Sequence, residues 1–165
     1  MKSTFYVGVI VIVVGLIGLV AVFVLNSAGP GSLVFRPAAE SLGEEIFLYG
    51  SDGGRAIRRR GDIGMMGGSG LGCADCHGTD ARGGRVSMMM MGNFEAPDVR
   101  WGTLTSSDME HEEGETPHPP FDRESFARAL REGVDPGGGD LESPMPRWQV
   151  NDAQVDALID YLKGL

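Results

Sequence analysis

Cys73, Cys76 and His77 are the residues whose types and spacing most directly indicate chemistry. They lie within residues 72–78, and the two cysteines are the only ones among the 165 residues. Two thiols one helical turn apart can form thioethers with the two vinyl groups on one edge of a porphyrin, and the next residue presents its imidazole to the iron. The C-x-x-C-H motif therefore predicts one covalent haem c, with His77 as an iron ligand.

Two other uses of paired cysteines compete with haem attachment. A thioredoxin-like dithiol also uses C-x-x-C, but it requires a strand-helix-strand frame, and the sequence around residues 72–78 is rich in glycine and poor in strand formers. A structural zinc site needs two further ligands at zinc-like spacing, and the chain has no second pair of Cys or His residues of that kind. The motif favours haem over both.

Met145 is the preferred candidate for a second iron ligand on the opposite face. It lies between Pro144 and Pro146, and a backbone restricted on both sides suits a thioether that must reach the iron along one direction. Several other side chains compete for this position: Met65, Met66, the methionine run 88–91, Met109, His111 and His118.

An uncharged apolar run extends from Phe5 to Leu25. As a helix it would be about 31 Å long, enough to cross a hydrocarbon core of about 30 Å. A cleaved signal peptide is the alternative, but its apolar region is usually only about 7–15 residues long. The run therefore predicts a single transmembrane anchor at 5–25, preceded by a tail at 1–4 and followed by a linker at 26–37.

The position of the cations around this run predicts its orientation. Lys2 precedes the run, and no Lys or Arg follows before Arg36. Positive charge is retained on the cytoplasmic side, so we expect the N-terminus inside the cytoplasmic (inner) membrane and the remaining chain on the periplasmic side. Bacteria attach haem c on that same side, so the orientation and the motif agree.

The charge of the chain limits its partners. The formal net charge is −9, and all 23 acidic residues follow residue 37. Such a domain disfavours nucleic-acid binding and favours a partner with a basic docking surface. With 26 glycines, residues 38–165 are expected to form one loop-rich domain whose core is completed by a buried porphyrin.

Three helices are predicted in this domain. Apolar residues at helical spacing indicate helices at 41–49, 121–132 and 152–162. Asp122 and Asn151 are the expected N-caps of the second and third helices, and Gly133 is expected to end the second. The glycine-rich segments 50–72 and 78–92 are predicted to be loops.

Two unusual runs admit more than one interpretation. The four methionines at 88–91 suit a cofactor pocket better than a Cu(I) site, because successive residues cannot all face one metal. The segment 108–115 carries five carboxylates, which favours a solvated loop, with a recognition patch or a weak metal site involving His111 and His118 as the alternatives.

Most of residues 40–165 resembles a class I cytochrome c. In that family an N-terminal and a C-terminal helix cross beside the haem at a small residue and aromatic residues, which Gly43, Phe47 and Tyr161 match. The resemblance implies a mainly α fold wrapped around one haem, and Met145 matches the distal methionine. It also implies that the carbonyl of Pro97 orients the proximal imidazole of His77. The long loop before Cys73 departs from simpler members.

Four further residues are candidate contacts for the haem propionates. Arginine pairs bidentately with carboxylates, and an indole donates one hydrogen bond. The residues are Arg100, Trp101, Arg147 and Trp148.

Together these features predict a one-electron carrier at the outer membrane face of a respiratory or photosynthetic chain. The sequence segments 133–136 and 145–148, together with the anchor, resemble those of mono-haem cytochromes tied to respiratory complexes. Examples are the mono-haem subunit of alternative complex III and cytochromes that serve terminal oxidases. Expected partners are membrane-embedded complex subunits, the lipid bilayer and a soluble electron carrier. A haem enzyme oxidising a small sulfur compound, and a mainly structural subunit with a relay haem, remain alternatives.

Overall fold

The structure, a computed structural model, describes residues 37–60, 71–88, 92–107, 118–142 and 144–165. The chain divides into two units, and the second, Ala38–Leu165, contains every element described below. The predicted anchor at 5–25, most of the linker, most of the run 88–91 and all of the run 108–115 lie outside the described residues. Within those residues, no helix is long and apolar enough to cross a membrane.

The described residues form five helices and six short strands. The helices are α1 (Leu42–Tyr49), α2 (Ala74–His77), α3 (Trp101–Leu104), α4 (Arg123–Glu132) and α5 (Asp152–Lys163). The strands are β1 (Ser51–Asp52), β2 (Arg55–Ala56), β3 (Arg59–Arg60), β4 (Gly84–Met88), β5 (Gly92–Ala96) and β6 (Arg147–Trp148).

The three predicted helices are confirmed as α1, α4 and α5, and their ends follow capping chemistry. The Ser41 hydroxyl accepts a hydrogen bond from the backbone N–H of Glu44 at the start of α1. Asp122 and Asn151 each form a capping box with the residue three positions later, so both predicted N-caps are confirmed. Gly133 ends α4 in the left-handed conformation, with φ 75°.

The two ends of the domain meet where α1 crosses α5. Gly43 lies so close to the backbone of α5 that a methyl group in its place would overlap the carbonyl oxygen of Ala157. One turn further along, the rings of Phe47 and Tyr161 lie 5.4 Å apart. The predicted crossing is therefore present, and the core that it closes contains the largest fully buried side chains: Ile46, Phe47, Val155 and Leu158.

The strands correct the expectation of a mainly α domain, because the fold mixes small helices with short strands. Three antiparallel pairs are present in the described residues: β1 with β2, β3 with β6, and β4 with β5. The pairing of β3 with β6 joins a segment before the C-x-x-C-H motif to a segment directly after Met145.

The prediction of loops at 50–72 and 78–92 was therefore partly wrong. Gly53 and Gly54 both have positive φ, at 58° and 76°, which is the conformation that a two-residue hairpin turn requires. Their backbone N–H groups donate to the carboxylate of Glu45, which stabilises the turn between β1 and β2. Several of the glycines from which loops were predicted instead lie in hairpin turns or at strand ends, and strands of two to five residues are too short for a periodic signal.

Gly43→Ala is expected to lower the free energy of unfolding by about 1–3 kcal/mol, because the added methyl forces α1 away from α5. Gly102→Ala is the matched control, since Gly102 lies in α3 with open space around it. That control should be neutral or stabilising by about 0.5–1 kcal/mol. Denaturant unfolding of both variants measures the difference, and equal effects would contradict the close crossing.

Candidate haem site

One helical turn carries the attachment motif. The backbone N–H groups of Cys76 and His77 both donate to the carbonyl of Cys73, at 3.2 and 2.9 Å, and both cysteines are free thiols. Gly72, just before this turn, is buried so closely against α1 that a methyl group there would overlap the backbone of Phe47 and Leu48. The turn is therefore seated directly against the end of α1.

His77 is buried and its ring orientation is determined by one hydrogen bond. Its side chain is 8% exposed, and Nδ1 lies 2.9 Å from the carbonyl oxygen of Pro97. A carbonyl only accepts, so Nδ1 carries the proton and Nε2 is left unprotonated for a metal. Burial lowers the pKa of His77, while the bond to Pro97 opposes this, so the ring is neutral at physiological pH. The hydrogen bond between His77 and the Pro97 carbonyl, which the family resemblance implies, is therefore present.

The β4–β5 hairpin delivers this carbonyl, and Gly83 permits the close approach. Gly83 has φ 72°, its N–H donates 2.8 Å to the carbonyl of His77, and a methyl group at this position would overlap the backbone of Ala96 and Pro97. Sequence reasoning missed Gly83, because nothing in the sequence distinguishes it from the many other glycines of the chain.

Asp98 fixes the turn that follows Pro97. Its carboxylate accepts from the backbone N–H of Arg100 at 2.9 Å and from Arg100 Nε at 3.0 Å. Burial raises the pKa of Asp98, but the hydrogen bonds and charge of Arg100 outweigh it, so the pKa lies below its usual value. This ion pair holds the backbone at the start of α3, directly after the residue that orients His77.

Met145 packs against the same core as the attachment turn. Its side chain is half-buried, as are those of Cys73 and Trp101, and all three contact the central hydrophobic cluster. The N–H of Met145 donates 3.1 Å to the carbonyl of Glu142. The fold therefore brings the attachment turn and Met145, which are far apart in the chain, to the same core.

Arg147 connects the segment around Met145 to the end of α4. Its guanidinium donates to three backbone carbonyls, those of Glu132, Leu141 and Met145. It lies directly over Gly133, where a methyl group would overlap the guanidinium. Gly133 thus supplies both a left-handed helix end and the space for this side chain.

The other candidate propionate contacts occupy varied positions. Trp101 makes an edge-to-face contact with Phe126, with ring centroids 5.6 Å apart. Trp148 is 4% exposed and lies beneath the guanidinium of Arg59. Arg100 and Arg147 are engaged by Asp98 and by backbone carbonyls respectively. Contact of these four residues with propionates stays a prediction.

The thiols do not have the electrostatics of a redox-active dithiol. Burial raises the pKa of the Cys73 thiol to about 12, and burial together with the charge of Asp75 raises that of Cys76. Redox dithiols instead depend on a lowered thiol pKa. Within the described ranges, no group of three or more Cys, His, Asp or Glu residues could hold a metal ion by itself.

The comparison with protein families identifies the class. The family model for cytochrome c matches residues 70–165, more than half of the chain. The chain belongs to the cytochrome c family and is a class I cytochrome c, a haem-based electron carrier. Comparison with curated proteins and with solved structures returned no match.

Membership of this family implies a covalent c-type haem, and the donor set of the structure fits it. Cys73, Cys76 and His77 form the C-x-x-C-H motif, both thiols are free, and His77 has one nitrogen committed to Pro97 and one remaining. Met145 supplies a half-buried thioether at the same core.

Arg147→Lys is expected to lower the free energy of unfolding by about 2–3 kcal/mol, because a single ammonium group cannot reproduce three diverging hydrogen bonds. Arg82→Lys is the matched control: Arg82 is exposed and its ion pair with Asp80 spans 3.6 Å, so its change should stay below about 0.5 kcal/mol. Denaturant unfolding of the haem-loaded variants measures both, and similar small losses would show that the Arg147 contacts contribute little.

Proposed function

We propose that this cytochrome c is a membrane-anchored one-electron carrier whose iron is held by His77 and Met145. The observation that carries the proposal is the buried imidazole of His77, whose Nδ1 is committed to Pro97 so that only Nε2 is available to a metal. When bound, the haem supplies an iron that cycles between two oxidation states.

The protein residues prepare this site for electron transfer. Burial of His77 shields its imidazole from water, and the half-buried Met145 packs against the same core as the attachment turn. The hydrogen bond to Pro97 holds the imidazole in one tautomer and one orientation, so little protein rearrangement accompanies a change of charge. With His77 and Met145 as its ligands, the haem iron would be stabilised in its reduced state, and its reduction potential would be raised.

With both His77 and Met145 bound to the iron, no coordination position would remain open for a substrate. This supports outer-sphere electron transfer over the alternative of a haem enzyme acting on a small sulfur compound. It also suits an assignment late in a respiratory or photosynthetic chain, where a relatively high potential is needed.

The location and partners are proposed from the sequence. The uncharged run 5–25, preceded by Lys2, supports an anchor in the cytoplasmic membrane with the haem domain on the periplasmic side. The net charge of −9 supports docking to a basic surface. The proposed partner is a membrane oxidoreductase complex, of which alternative complex III and terminal oxidases are examples, with the chain as a subunit or as its donor or acceptor.

Met145→Ala is expected to lower the reduction potential by on the order of 0.1 V or more and to produce a high-spin or ligand-exchanged haem. The reduced variant should bind carbon monoxide rapidly, whereas the wild type should not. Met109→Ala is the matched control, a competing methionine in the acidic run 108–115. An unchanged spectrum and potential in Met145→Ala would exclude this ligand, and rapid carbon monoxide binding by the wild type would support the enzyme alternative.

The full chain is expected to remain with the membrane fraction after washing at high salt and alkaline pH, because an apolar run of this length resists extraction without detergent. Solubilisation in mild detergent should recover it with the subunits of a membrane complex. Release of the intact chain by the alkaline wash would contradict the anchor, and recovery as a lone monomer would count against a constitutive subunit.

A further inference from the structure

The segment 51–60, which we name the strap, contacts the residues that come just before the haem attachment motif in the sequence. Arg59 Nη1 donates a 2.7 Å hydrogen bond to the carbonyl of Leu71, two residues before Cys73. This bond ties the strap to the backbone that leads directly into the attachment turn.

The same strap also contacts the segment that follows Met145. In the antiparallel pair of β3 and β6, Arg59 lies opposite Trp148, and the N–H of Gln149 donates 2.8 Å to the carbonyl of Arg58. The guanidinium carbon of Arg59 lies 5.4 Å from the ring centroid of the buried Trp148. The one side chain of Arg59 therefore contacts both segments, through a hydrogen bond to Leu71 and a cation–π contact to Trp148.

The strap is also held by hydrogen bonds that do not involve Arg59. Gln154 on α5 is 8% exposed, and its amide donates 2.7 Å to the carboxylate of Asp52. The N–H of the buried Ile57 donates 2.8 Å to the carbonyl of Gly50. Because these bonds fix the strap to α5 and to the end of α1, it can resist movement of the two segments that Arg59 contacts, those at Leu71 and at Trp148.

We propose that Arg59 is a positioning residue that couples the attachment turn to the Met145 segment and holds the methionine ligand in place. Trp148 follows Met145 by three residues, and Arg147 between them donates to the Met145 carbonyl. Fixing Trp148 against the strap therefore restricts the outward movement that would release the thioether. The inference rests on the proposed ligation by His77 and Met145.

Imidazole binding to the oxidised, haem-loaded full-length protein tests this coupling. An added ligand can bind only when Met145 has left the iron, so the apparent affinity is the intrinsic affinity multiplied by the fraction of open molecules. Arg59→Gln removes a charged hydrogen bond and a cation–π contact, and it should increase the apparent affinity about tenfold. Arg59→Lys keeps the charge but lacks the planar fork, so an increase of about threefold is expected.

Arg58→Gln is the matched control because it removes the same charge from the neighbouring position. The Arg58 side chain is exposed, and the strap uses its backbone carbonyl, which the substitution retains. Its affinity for imidazole should stay within about twofold of wild type. Val155→Ala controls for general instability, since Val155 is fully buried in α5. It should lower the unfolding midpoint without raising imidazole affinity at temperatures well below unfolding.

Three results separate the possible outcomes. Tighter imidazole binding in both Arg59 variants, with neither control affected, supports the positioning role. Equal affinities in Arg59→Gln and Arg58→Gln, or an equal rise in Val155→Ala, overturn it. If Arg59→Gln does not retain haem, Arg59→Lys gives the same comparison. Wild-type affinity as high as that of Met145→Ala would instead contradict the proposed methionine ligation, independently of Arg59.

Discussion

The buried hydrogen bond from His77 to the carbonyl of Pro97 is the interaction on which the site depends. A carbonyl must reach an imidazole that lies 20 residues earlier in the chain, and the β4–β5 hairpin between them makes that return. Gly83 allows the backbones to approach, and Asp98 holds the next turn. Without this arrangement the ring would be free to rotate, and its Nε2 would not be held as the metal-binding atom.

A second constraint arises from the shortage of regular structure. Irregular segments leave backbone carbonyls without helix or sheet partners, and buried carbonyls require donors. Several arginines supply such donors: Arg147 donates to three carbonyls around Met145, and Arg59 donates to that of Leu71 before the attachment turn. Arginine suits this task because its fork carries several donors on one rigid plane. The guanidinium groups of Arg59 and Arg147 thus hold the backbone before the attachment turn and around Met145 in place.

The prediction from sequence succeeded where the signal is local. The C-x-x-C-H motif identified the attachment turn, and capping residues such as Asp122, Asn151 and Gly133 located the helix ends to within two residues. The helix crossing at Gly43 followed from family resemblance and is present. The strands were missed because segments of two to five residues pair through non-local backbone bonds that leave no periodic pattern.

The sequence by itself therefore determined the cofactor, because two thiols and an imidazole at this spacing have one dominant chemistry. It also determined the charge of the domain and the apolar run that precedes it. Only the tertiary structure decided how the arginines are used: Arg147, expected from its type to meet a carboxylate, binds carbonyls, and Arg59 joins the strap to Trp148. Side-chain chemistry can be read from sequence, but partners brought together across the fold depend on packing.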